Sequence, residues 1–167
     1  ALGVPVYELL GGKTRDRIRT YCSGLSNFDM SDDEMAKEFA VLKEKGFTAS
    51  KVFIPVNNTR GDGSDELFQS KVKIAADKVK KVREAVGDNF DLIVEVHRCM
   101  STPEAVAFAQ EIEKYHPMVL EDPIVPDNVD VMAYVAEKTN IPIATGERFT
   151  YFNEFEILMQ RQAARYV

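Results

Sequence analysis

Three glutamates recur at a fixed interval, and that interval constrains the fold more than any other feature of the chain. Glu95, Glu121 and Glu147 stand 26 residues apart in each case. Each closes an apolar run: Asp91-Leu92-Ile93-Val94-Glu95, Met118-Val119-Leu120-Glu121 and Ile141-Pro142-Ile143-Ala144-Thr145-Gly146-Glu147. Runs of this length bounded by polar turns predict buried strands. One βα unit of an eight-unit barrel takes roughly 25–30 residues. The repeat therefore puts three carboxylates at one height on neighbouring strands.

The remaining segments fit the same scheme. A weak first strand is predicted at Arg19–Ser23, and a helix from Ser31 or Asp32 to about Lys45, with Met35, Phe39 and Leu42 on one face. A second strand runs from Phe47 to Ile54, then a polar loop from Asn57 to Ser64. Helical spacing follows from Glu66 to Val86, on Leu67, Val72, Ile74, Ala75, Val79, Val82 and Val86, while Lys78, Lys80, Lys81 and Arg83 read as its solvated face. The Asp91 strand is expected to continue to His97. Further helices are predicted from Thr102 to about Tyr115, Val129 to Lys138 and Asn153 to Gln162, and another apolar segment starts at Arg165. Alternation of strand and helix without linkers favours βαβ units and a parallel sheet. No glycine-rich phosphate fingerprint follows a strand, which disfavours a dinucleotide-binding sheet. The expected fold is α/β: a TIM-type (β/α) barrel, here an incomplete barrel of about five βα units over residues 1–167.

Composition narrows the partners. With a formal charge of -6 the chain does not present a general nucleic-acid surface. No apolar run approaches the length of a membrane span, and no signal peptide is visible. Two cysteines, Cys22 and Cys99, fit a reducing cytosol. The expectation is a cytoplasmic protein acting on a small molecule.

Three carboxylates converging at a barrel mouth would repel strongly without a cation. An all-oxygen set suits Mg²⁺, so Glu95, Glu121 and Glu147 are the predicted metal ligands. In a strand, residues i and i+2 share a face, so His97 is expected beside Glu95 as a general acid or base. Lys51, on the apolar second strand, could bind an anionic substrate, act as a base, or pair with a carboxylate.

Several motifs resemble the enolase superfamily, within its mandelate racemase branch. They are Gly3-Val4-Pro5-Val6-Tyr7-Glu8-Leu9-Leu10-Gly11-Gly12, Leu120-Glu121-Asp122-Pro123 and Ala144-Thr145-Gly146-Glu147-Arg148. Glu95-Val96-His97 is similar to the acid-sugar dehydratases of the galactonate dehydratase type. By that likeness, Glu95, Glu121 and Glu147 bind Mg²⁺ and His97 protonates a leaving hydroxyl. The implied reaction removes a proton alpha to a carboxylate, the metal stabilises the enediolate, and loss of water gives a 2-keto-3-deoxy acid. The branch commonly has Asp where this chain has Glu95, and its racemases often carry Lys-x-Lys where this chain has Lys51-Val52-Phe53. The second point fits a dehydratase better than a lysine-based racemase, epimerase or cycloisomerase. A non-catalytic barrel fragment with solvated glutamates is the remaining alternative. The resemblance further implies a homo-oligomer, an N-terminal capping domain, and later barrel units carrying the base, none of them within these 167 residues.

Overall fold

Pleat alternation gives each strand one face for the helices and one for a cavity. The computed structural model describes residues 2–23, 30–54 and 67–167. Its sheet is four-stranded and entirely parallel, in the order β1 (Ala49–Phe53), β2 (Asp91–Glu95), β3 (Val119–Glu121), β4 (Ile143–Ala144). The connecting helices are α3 (Phe68–Val86), α4 (Thr102–Ile112, extended by a 3₁₀ turn at Glu113–Tyr115) and α5 (Val129–Glu137). Helix α2 (Asp32–Glu44) precedes β1 and α6 (Phe152–Gln160) follows β4, while α1 is the short turn Val6–Leu9 that ends at Gly11 and Gly12.

Val52, Ile54, Leu92, Val94, Val96, Leu120 and Ile143 face the helices and join one continuous core with Phe39, Val79, Phe108 and Met132. Ala49, Ile93 and Val119 point the other way and form a separate small cluster on the concave side. Helices on one face and a hollow on the other are the two layers of a barrel wall. At each sheet edge a single parallel bridge continues the pattern, Cys22 to Ser50 and Tyr166 to Ala144. The strand predicted at Arg19–Ser23 is therefore present only as one bridging residue.

Local signals account for the helix boundaries. Ser31 and Glu34 form a reciprocal capping box at the start of α2, and Ser101 and Glu104 do the same for α4. Met35, Phe39 and Leu42 are buried as the spacing required. The α3 reading needs three corrections. Leu67 and Ile74 are 77% and 48% exposed, whereas Arg83, expected in solvent, is only 8% exposed. Arg83 lies beneath the sheet, where its guanidinium donates to the carbonyls of Gly87 and Phe90 at 2.7 Å, Tyr115 at 2.9 Å and His116 at 3.2 Å. It ties the end of α3 to the residues that lead into β2 and β3. The polar loop predicted at Asn57–Ser64 lies outside the described residues. No helix among the described residues is long and apolar enough to cross a membrane.

Candidate active site

The parallel register of β2 and β3 pairs Glu95 directly with Glu121, each the last residue of its strand. The two carboxylates come off the concave face at one height. Lys51 sits lower on β1, opposite Ile93, and its stem runs up the wall to reach both. Its Nζ lies 3.1 Å from Glu95 Oε2 and 3.0 Å from Glu121 Oε1. Burial pulls the Lys51 pKa down, but the hydrogen bonds and charges of Glu121 and Glu95 more than offset this, so it rises. Lys51 is thus a held ammonium while it bridges the two carboxylates.

Glu95 is 4% exposed. Its carboxyl is pushed up to about 7, first by burial and then by the neighbouring Glu121, against the opposing pull of Lys51. A raised carboxyl pKa means that the folded protein holds this proton more tightly than the unfolded chain does. The group's unfavourable contribution therefore grows as pH rises from about 4.5 through about 7, and is full above that. In EDTA, the melting temperature is expected to drop by several degrees between pH 5.5 and pH 8, and Glu95→Gln should flatten that slope. An equal slope in the variant would assign the pH dependence to other groups.

His97 reaches this pair by a route different from the expected one. Strand β2 ends at Glu95, because His97 and Arg98 adopt φ of +55° and +65° and turn the chain away. The two residues do not share a pleated face. Instead the His97 backbone N–H donates to Glu95 Oε1 at 2.7 Å, and the ring Nδ1 lies 3.7 Å from the same oxygen. Arg98 Nη2 contacts His97 Nε2 at 2.9 Å. A guanidinium can only donate, so Nε2 accepts and the ring proton sits on Nδ1, towards Glu95. Burial, followed by the Arg98 charge, lowers the His97 pKa.

Glu147 also departs from the sequence reading. Strand β4 stops at Ala144, so Glu147 lies in the turn beyond it rather than in register with the other two. Gly146, with φ of +135°, makes that turn, and a Cβ there would stand 3.1 Å from the Phe155 ring. Arg98 pairs with Glu147 and also donates to Asp122 Oδ2 at 2.9 Å. Asp122 is 1% exposed, with its other oxygen buried and without a hydrogen-bond partner. Sequence reasoning missed Arg98, because its partners become neighbours only once three strand tips are side by side.

Below these groups the concave wall encloses a cavity of about 460 Å³, with Ala49, Ile93, Val119 and Ala144 on its floor and Glu121 and Glu147 at one end. Among the described residues no three His, Cys, Asp or Glu side chains are gathered closely enough to hold an ion. The donors nevertheless suit a hard cation in kind. Glu95 and Glu121 offer only oxygen and already share one positive charge, and the third carboxylate is drawn aside by Arg98.

A sequence profile described as Enolase C-terminal domain-like matches residues 34–167. The chain belongs to this enolase family. Its curated relatives include a D-xylonate dehydratase of Haloferax volcanii, 34% identical over 87% of this chain and 36% of that protein. A D-galactonate dehydratase of Xanthomonas oryzae pv. oryzae is 34% identical over 93% of this chain and 38% of that protein. Among solved structures, a mandelate racemase/muconate lactonizing enzyme-like protein from a Roseovarius species superposes with a TM-score of 0.82 at 35% identity, covering 96% of this chain and 42% of that one. A member of the enolase superfamily from Salmonella Typhimurium gives 0.84 at 29% identity, covering 97% of this chain and 45% of that one. The chain thus spans well under half the length of the relatives it matches. The arc of parallel strands is part of the enolase family's TIM-type barrel, as the 26-residue repeat indicated.

Proposed function

We propose that the protein is a magnesium-dependent acid-sugar dehydratase, a hydro-lyase. The observation that carries this is the in-register pair Glu95 and Glu121 at adjacent strand tips, sharing one cation beside His97. The relatives named as dehydratases of xylonate and galactonate supply the substrate class.

Glu95, Glu121 and Glu147 would hold the metal, with Glu147 released from Arg98 to do so. When bound, Mg²⁺ supplies positive charge where negative charge develops on the substrate carboxylate. Lys51 would add an ammonium for the same anionic group. The reaction moves the α-proton to a base, breaks the bond from the β-carbon to its hydroxyl, and sends a proton from His97 to that hydroxyl, which departs as water. For this role His97 would first take up a second proton at Nε2 in place of the Arg98 contact; its lowered pKa makes that charged form scarcer but a stronger acid. The enol product then tautomerises to a 2-keto-3-deoxy acid.

The base is proposed to lie on later barrel units, and a capping domain to set substrate choice. These assignments fit a chain that covers 36–38% of its dehydratase relatives. A cytoplasmic homo-oligomer without nucleic-acid or membrane partners completes the reading. An epimerase or cycloisomerase would need an acid/base lysine here, and Lys51-Val52-Phe53 lacks the second lysine of the Lys-x-Lys pattern, which favours the dehydratase.

The test is a sugar-acid library assayed for keto-acid formation by the intact protein, with His97→Asn as control. Turnover in the variant is expected to fall by about 10²–10⁴-fold. Undiminished dehydration would remove His97 from the mechanism, and no keto acid from any member would reject the activity.

A further inference from the structure

Lys51 occupies a position that a substrate-binding role alone does not explain. Its Nζ sits between the two carboxylates rather than out in the cavity, at 3.1 and 3.0 Å, and its side chain is only 19% exposed. Among the described residues it is the only side-chain cation paired with Glu121 or with Glu95, while the neutral His97 ring lies 3.7 Å from Glu95. Two carboxylates against one ammonium leave a net negative charge that still attracts cations. A divalent ion held by the same oxygens would reverse the sign and repel the ammonium. Lysine is suited to leaving such a bridge: its charge is compact and strongly hydrated, and its stem has four rotatable carbons.

We propose that Lys51 is a resident counter-ion of this site: it bridges Glu95 and Glu121 while no divalent cation is bound, and it must vacate that bridge when one enters. The inference rests on the magnesium-dependent reading and assigns this side chain a role in loading the site. Binding of the ion would then free the ammonium, so that metal and anionic substrate bind in that order.

The experiment compares the intact wild-type protein with Lys51→Met and Lys51→Arg at pH 8.5, by magnesium calorimetry and by melting temperature in EDTA and in saturating MgCl₂. With its competitor removed, Lys51→Met is expected to bind Mg²⁺ about tenfold more tightly or better, as fits the loss of one nearby positive charge. It should melt below wild type in EDTA, where the carboxylates repel, and level with wild type in MgCl₂. Lys51→Arg keeps the charge and is expected to stay within about threefold of wild-type affinity. Unchanged or weaker binding by Lys51→Met, or a melting deficit that persists in MgCl₂, would overturn the inference while leaving the magnesium reading intact. Absence of magnesium binding by the wild type would overturn both. If Lys51→Met fails to fold, the Lys51 Nζ resonance of the wild-type protein decides: it should move to a solvated-lysine value on adding MgCl₂, and a resonance that stays put overturns the inference.

Discussion

Glu121→Gln in the intact protein is expected to weaken Mg²⁺ binding by roughly 100-fold, about 2.8 kcal/mol. The substitution keeps the size and shape of the side chain and removes one unit of negative charge. At an effective dielectric of about 20, a unit charge at ligand distance from a dication is worth several kcal/mol before desolvation is subtracted. Glutamine is also a poorer partner for Lys51, which now lies 3.0 Å from Glu121 Oε1. The substitution should lower the Glu95 pKa as well, since the Glu121 charge is one cause of its elevation. Magnesium titration by calorimetry gives the answer directly. An unchanged dissociation constant would show that Glu121 is not a ligand, and the metal-dependent lyase proposal would fall with it.

Arg83→Ala should cost about 3–5 kcal/mol of folding stability, measured by urea unfolding followed by circular dichroism. The guanidinium is nearly buried and donates to four carbonyls contributed by Gly87, Phe90, Tyr115 and His116. Removing it leaves those acceptors unpaired in a water-poor pocket next to core residues Val82, Val86 and Phe90. Arg83→Lys should recover only part of the loss, because an ammonium cannot reproduce the planar fork of donors. A loss below about 1 kcal/mol for the alanine variant would mean that water takes over the vacated bonds without penalty. The site lies at the end of the sheet away from the glutamates, so metal affinity should be unaffected in the folded variant.

Arg83 also shows where sequence reading stops. It stands among Lys78, Lys80 and Lys81 but falls on the apolar stripe, four residues after Val79 and three before Val86; periodicity turns it inward without showing what would pair its charge. What distinguishes it is a set of unpaired carbonyls on segments up to 33 residues away, and no local pattern encodes that. The repeat of Glu95 and Glu121 was legible for the opposite reason. Each terminates an apolar run, and parallel pairing converts equal spacing into equal height. Glu147 broke the rule because β4 is only two residues long and Gly146 diverts the chain before the third carboxylate is reached. The same limit applies at His97, where two consecutive left-handed residues replaced the expected pleat yet left the ring near Glu95. Residue types pointed to candidate side chains, but backbone turns determine which of them meet.

The division of the sheet into two unequal faces carries a consequence for how such a protein can change. Along each strand, residues that hold the helices alternate one by one with residues that look into the cavity. Ala49, Ile93, Val119 and Ala144 can therefore be exchanged while Val52, Leu92, Val94 and Leu120 stay fixed. A substitution that reshapes the hollow thus leaves the seats of the helices in place, and the shape of the binding space is separable from the rigidity of the wall.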